Sequence, residues 1–238
     1  MTNKTNTTKK EQDKKSKEDR LTEFQYIHDY NIDIPNREIY LHSYISDDKD
    51  EAGVDYRSAV IFEKNLRYLN TLSLSPILVH MHLPGGDWQD CLGIFDNIRA
   101  SKSPICIVAY GKVESSSSVI LQGADLRILS QNSNFLIHYG SISIENEHKA
   151  VLSSVQWSEK ESEKMINIFT ERCINSKIYK EKNWKKMMAK KHIVNQLATK
   201  IDWILNSEEA VDYGFADGVL GSKKFPNIDF IKNYMSKL

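Results

Sequence analysis

The chain has 238 residues, of which 40% are hydrophobic and 27% charged, with Lys+Arg and Asp+Glu both at 32. That length fits one domain with room for a core that needs no disulfides. At the whole-chain level the charge balance points to neither a nucleic-acid binder nor a partner with an acidic surface.

Residues 1–20 (MTNKTNTTKKEQDKKSKEDR) contain a single apolar residue, Met1. Such a stretch cannot bury enough surface to offset its ordering entropy, so it is expected to be a disordered tail ahead of a domain spanning 21–238. Arg37–Ile45 places Ile39, Leu41 and Ile45 at even spacing, which predicts a strand. Asp47–Asp55 is acidic, contains Gly53 and reads as a loop. Ser58–Leu72 sets Ala59, Phe62, Leu66 and Leu69 on one helical face. Pro76–Leu83 (PILVHMHL) is a strand closed by Pro84-Gly85-Gly86, and Trp88, Cys91, Leu92, Phe95 and Ile98 mark an amphipathic helix. Pro104–Tyr110 (PICIVAY) reads as a buried strand ending before Gly111.

Downstream, Ser115–Ala124 predicts a short helix, and Leu126–Leu129 and Asn134–Tyr139 predict strands. Lys149–Tyr179 has no Gly or Pro and is expected to be one long helix. Its apolar positions Leu152, Val155, Met165, Ile168 and Phe169 form a partial stripe suited to packing against another subunit. Trp184–Lys200 is a basic helix, and Ser207–Tyr213 a last short one before Ala216–Leu220. Repeated strand–helix–strand units predict an α/β fold with a largely parallel sheet, since parallel neighbours need a crossover.

Cys91, Cys106 and Cys173 have no CxxC spacing, which argues against a disulfide framework or a structural zinc site and for a reduced, cytoplasmic setting. No apolar run approaches the roughly 18–20 residues that span a bilayer, and the N-terminus lacks the apolar core of a secretory signal. His80 and His82 share a strand face, but without a third ligand a structural role outweighs a metal site. Lys185, Lys186, Lys190 and Lys191 read as a solvated helix face rather than a nucleic-acid contact.

Five residues carry possible chemistry. Gly85 and Gly86, in a strand-to-helix turn, can leave backbone N–H groups free to meet a developing negative charge, though such a pair is more often simply a turn. Ser115 opens a run of four serines where a strand meets a helix; an exposed nucleophile and a helix N-cap both fit that placement. His138 ends the apolar strand FLIH, and a neutral imidazole is an effective general base near pH 7. Asp202 lies in KIDWIL, a charge between apolar residues. Each has a plain structural reading alone.

Together they form a pattern that resembles the Clp protease proteolytic subunit and its phage-type relatives. MHLPGGD at 81–87 is similar to that family's NSPGG loop, with His82 and Leu83 in place of Asn and Ser. GKVESSSSVILQGAD at 111–125 is similar to its G-x-A-A-S block, which sets the nucleophile on Ser115. NFLIH at 134–138 is similar to its MIH strand and sets the base on His138. DWILNSEEAVDYGFAD at 202–217 is similar to its D-x-F-x-S-x-x-E-A-x-x-Y-G-x-x-D block and sets the acid on Asp202.

The resemblance implies a Clp–crotonase fold with a projecting long helix, and a serine endopeptidase that works without metal or organic cofactor. It implies an oxyanion hole from Gly86, Gly85 and the N–H of Ser116. It also implies polypeptide substrates, homo-oligomeric rings of seven stacked in pairs, and an AAA+ unfoldase ATPase partner. Two departures stand out. Glu114 replaces a small residue beside the nucleophile, and ISIENEHKAV after Gly140-Ser141 lacks the family's glycine-rich strand. An inactive ring subunit and a crotonase-type acyl-CoA enzyme are the alternatives, although the latter chemistry has no need of Ser115, His138 and Asp202 together.

Overall fold

The computed structural model describes residues 17–43 and 53–237. The expected tail therefore falls outside the described residues up to position 16, while Lys17–Arg20 already belong to a first helix. Ile45 and most of the expected acidic loop also lie outside them.

Among the described residues eight strands form one sheet: β1 (Ile32–Asp33), β2 (Glu38–His42), β3 (Ile77–Leu83), β4 (Ile105–Glu114), β5 (Leu126–Leu129), β6 (Asn134–Ile137), β7 (Trp203–Leu205) and β8 (Gly218–Val219). The spatial order is β1-β2-β3-β4-β5-β8, with β6 also pairing β4, and β7 pairing β6. In this sheet β1–β2 and β6–β7 are antiparallel; the other pairs are parallel, as the strand–helix alternation requires. The helices are α1 (Lys17–Tyr30), α2 (Tyr56–Leu72), α3 (Trp88–Ala100), α4 (Ser116–Gly123), α5 (His148–Cys173), α6 (Lys177–Glu181), α7 (Lys186–Lys200), α8 (Ser207–Asp212) and α9 (Ile228–Met235).

The central strands are apolar on both faces because both faces are covered. On one side Ile77, Val79, Met81, Ile105, Ile107 and Ala109 join the main core with Phe62, Leu66, Ile94 and Phe169. On the other, Leu78, Cys106, Val108, Leu126 and Ile128 form a smaller core capped by Phe225, Ile231 and Met235 around α9. The sequence reading contains no counterpart of α9. A polar cluster fastens it: Lys232 pairs with Glu38, which also accepts from His80 Nε2 at 3.1 Å. His80 Nδ1 accepts from Tyr110 Oη at 3.0 Å, and its ring lies stacked against Tyr40. Burial alone would raise the Glu38 carboxyl, but the hydrogen bonds and charges of His80 and Lys232 outweigh it and hold the group at about 2.

Two sequence expectations need correcting. The strand expected to stop at Tyr110 runs on to Glu114. Gly111, at φ 62°, lets it change neighbours on the way. Cys106–Ala109 pair with β5, whereas Lys112–Glu114 pair with β6. The expected single helix Lys149–Tyr179 is broken after Cys173. Past the break, on α6, Tyr179 is fully buried against Trp184, His192 and Tyr213.

Candidate active site

The pivot at Gly111 decides what the sheet brings together. Once β4 lies beside β6, Glu114 is opposite Leu136, and the N–H of Ser115 donates to Leu136 O at 3.1 Å. Ser115 thus leaves its strand next to the end of β6, where His138 follows Ile137. The antiparallel register between β6 and β7 supplies the third residue. Ile137 pairs with Trp203, so His138 and Asp202 are the next residues outward on the two strands.

The side chains complete what the ladders begin. Ser115 Oγ donates to His138 Nε2 at 2.8 Å, and His138 Nδ1 donates to Asp202 Oδ1 at 3.1 Å. With the proton on Nδ1, Nε2 is free to accept one from the serine. The imidazole is partly buried and the Asp202 carboxylate is half exposed.

The two readings of the serine run now separate. Ser115 occupies the N-cap position of α4, yet its side chain makes no capping hydrogen bond. Its backbone sits at φ 57° and ψ −128°, a conformation costly for a residue with a Cβ, of order 1–3 kcal/mol. The other three hydroxyls are spent on backbone carbonyls: Ser116 on Gly86, Ser117 on Glu114 and Ser118 on Ser115. Of the four, only Ser115 meets an imidazole.

Gly85 and Gly86 lie beside this serine. A Cβ on Gly85 would stand 2.8 Å from Glu114 O and 2.9 Å from Ser115 Cβ. A Cβ on Gly86 would overlap the backbone N and O of Val54 and stand 2.9 Å from its Cα. Both glycines have positive φ, 120° and 142°. Val54 bridges to Gly86 in parallel fashion: its N–H donates to Gly85 O, and its carbonyl accepts from Asp87 N at 2.8 Å. Asp87 caps α3 through Gln89 and Asp90. The N–H groups of Gly86 and Ser116 donate no hydrogen bond among those made by the described residues. Donors without a partner among the described residues are what an oxyanion needs.

Sequence reasoning missed the supports of this site. Val54 falls in the stretch expected to be a loop; an apolar residue after Gly53 in an acidic segment was the available signal. Trp88, which the sequence marks only as a helix-face residue, donates from Nε1 to Glu161 Oε2 at 2.7 Å and ties the start of α3 to α5. Burial raises the Glu161 carboxyl, but hydrogen bonds from Lys164 and Trp88 outweigh that and hold it below its usual range. Nothing in the sequence marks that pair. Behind the serine, Cys91 Sγ donates to Ser116 O, and burial pushes its thiol up, so it is no competing nucleophile. Among the described residues no group of three or more His, Cys, Asp or Glu side chains is placed to hold a metal ion. Among them, too, no strand or helix occurs between Ile137 and His148, where the glycine-rich strand of the resembled family would run.

A serine hydroxyl bonded to a carboxylate-oriented imidazole, at a strand-to-helix corner beside a glycine turn, is the equipment of a serine hydrolase. Residues 36–223 match the family model described as Clp protease. The chain is 31% identical to an ATP-dependent Clp protease proteolytic subunit 2 of Treponema denticola, over 68% of this chain and 74% of the relative. It is 27% identical to a protein of the same description from Pseudomonas aeruginosa, over 72% and 79%. It is 25% identical to an ATP-dependent Clp protease proteolytic subunit of Deinococcus radiodurans, over 60% and 64%. The protein is therefore a serine peptidase with the mixed α/β Clp–crotonase fold. The chain belongs to the Clp protease family, as a Clp-type proteolytic subunit.

Proposed function

We propose that Ser115, His138 and Asp202 form the catalytic triad of an endopeptidase that cleaves polypeptides through an acyl-enzyme. The unbroken hydrogen-bonded line from Ser115 Oγ through His138 to Asp202 carries this reading. Ser115 Oγ attacks the scissile carbonyl carbon while His138 Nε2 takes its proton. The resulting oxyanion is held by the N–H groups of Gly86 and Ser116, with Gly85 shaping the same turn. His138 then gives the proton to the leaving amine as the C–N bond breaks, leaving an ester on Ser115. A water, deprotonated by the same imidazole, hydrolyses that ester. Asp202 keeps the Nδ1 tautomer and offsets the imidazolium charge in both halves.

Polypeptides are the proposed substrates, and the working form is a homo-oligomeric ring, a heptamer or a stacked pair of them. The relatives are described as ATP-dependent, which supports an AAA+ unfoldase partner that feeds the ring. No described helix is long and apolar enough to cross a membrane, and the cytoplasm is the proposed location. A fluorophosphonate probe tests the site directly. Intact protein should be labelled at Ser115 alone, read by mass spectrometry of the modified peptide. Unlabelled protein, or a label on another serine, would defeat the assignment; the first result would point to an inactive ring subunit.

A further inference from the structure

The acid of the site is held in an unusual way. Asp202 does not continue a strand or a helix. It follows Ile201, a β-branched residue at φ 63° and ψ −64°, and its N–H donates to Lys200 O at 2.7 Å across a three-residue turn. Such a γ-turn is rare and strained, and side chains branched at Cβ seldom adopt positive φ. Ile201 is itself exposed, so its own packing cannot hold the turn.

The restraint comes from both sides of the turn. Upstream, α7 is fixed by buried Ala189, Ile193 and Leu197, and Ile201 N–H still bonds back to Leu197 O. Downstream, Trp203 is fully buried. Its ring meets Tyr213 at 5.0 Å, Phe215 at 5.6 Å and His192 at 5.8 Å between centroids, all edge to face. His192 in turn lies stacked on Tyr213 and tilted against Trp184. The contact of His192 with Trp203 joins α7 to β7, the two elements that the turn connects. Trp203 Nε1 and His192 Nε2 are buried and bond no group among the described residues, so ring packing rather than hydrogen bonding makes this joint. The same Trp203 is paired in the ladder with Ile137, the residue before His138.

We infer that Trp203 is a positioning residue: seated in the ring box with His192, Tyr213 and Phe215, it holds the strained Ile201 turn closed and so keeps the Asp202 carboxylate on His138. The inference rests on Asp202 being the triad acid. Loss of the anchor lets the turn relax, and an ångström of drift at a catalytic group costs on the order of 10²-fold in rate.

The test is a double-mutant cycle on peptide hydrolysis with full-length protein, reading kcat and KM separately. Asp202→Asn alone should lower kcat by about 10⁴-fold. Trp203→Leu should lower kcat by about 10- to 10²-fold with KM little changed. In the Asp202→Asn background Trp203→Leu should add almost nothing, because there is no longer a carboxylate to place. Trp203→Phe keeps an aromatic ring in the box and should retain most of the activity. It remains usable should the leucine variant not fold. Equal losses from Trp203→Leu in both backgrounds would mark Trp203 as merely structural and overturn the inference. So would full activity in Trp203→Leu, or a Trp203→Phe variant as impaired as Asp202→Asn. Unchanged activity in Asp202→Asn would instead remove the acid assignment itself.

Discussion

Replacing Gly86 by alanine tests the proposed oxyanion hole without touching a side chain of the proposed triad. Gly86 sits at φ 142°, and a Cβ there would run into the backbone of Val54, whose N–H and carbonyl are already tied to Gly85 and Asp87. The overlap is with backbone, so no flexible side-chain end can yield. The 85–87 turn must rotate or move away from the Val54 segment, and either motion displaces the Gly86 N–H that is proposed to hold the oxyanion. Losing one oxyanion donor costs about 2.7–4 kcal/mol of transition-state stabilisation, which is about 10²–10³ in kcat. Substrate binding in the ground state does not use that bond, so KM should change little. Gly93→Ala is the control: nothing lies within 4 Å of a Cβ there, and it falls within α3. Steady-state hydrolysis of a fluorogenic peptide, with circular dichroism on both variants, reads the result. A folded Gly86→Ala enzyme with wild-type kcat would show that the Gly86 N–H takes no part.

Ser115→Ala should abolish peptide hydrolysis, by about 10³-fold or more, whereas Ser116→Ala should lose far less because its backbone N–H is retained; reversed results in the same assay would shift the nucleophile by one residue. Glu38 has its carboxyl held at about 2, against an ordinary value near 4.5, so its pairing stabilises the fold fully above that ordinary value and the contribution fades as pH falls towards 2. That amounts to about 3 kcal/mol, so urea unfolding from pH 6 to pH 2.5 should show a steep loss that Glu38→Gln lacks, and parallel curves would refute the linkage. Leu152→Glu with Val155→Glu should lower the assembled mass in native mass spectrometry while leaving the subunit folded; an unchanged mass would exclude that face from the interface.

Legibility followed locality. Strands covered on both faces are continuous apolar runs, and the runs at 77–79 and 105–109 stand out for that reason. The residue types and order of the proposed triad are visible because Ser115 follows β4, His138 follows β6 and Asp202 precedes β7. What joins them is not visible. The partner change of β4 at Gly111, the β6–β7 register and the bridge from Val54 to Gly86 are pairings between distant segments, and no local periodicity encodes them. The choice among four serines is equally hidden. It depends on which carbonyl each hydroxyl finds: Ser117 and Ser118 bond back three residues, and Ser116 reaches the distant Gly86. Helix α9 is short, and no local pattern marks the sheet face on which it packs as one in need of cover.

The long helix shows how one apolar stripe can serve two purposes. The sequence places Leu152, Val155, Met165, Ile168 and Phe169 together as a surface for another subunit. The fold divides them. Phe169 is fully buried, edge-on to Phe135 and Phe215, and Met165 is nearly so. Those residues belong to the subunit's own core, behind the strand that leads to His138, so a charge at Phe169 would unfold the subunit rather than split an assembly. Leu152, Val155 and Trp157 remain exposed on the first half of α5, near Tyr139 and Ile142 in sequence and similarly exposed. A helix anchored at one end and apolar at its free end fits a proteolytic subunit that buries the free end against another copy. The anchored end then offers a physical route to the site. Glu161 on α5 holds Trp88, and Trp88 begins the helix that follows Gly85 and Gly86. Packing at the outer half of α5 would bear, through that bond, on the loop proposed to hold the oxyanion.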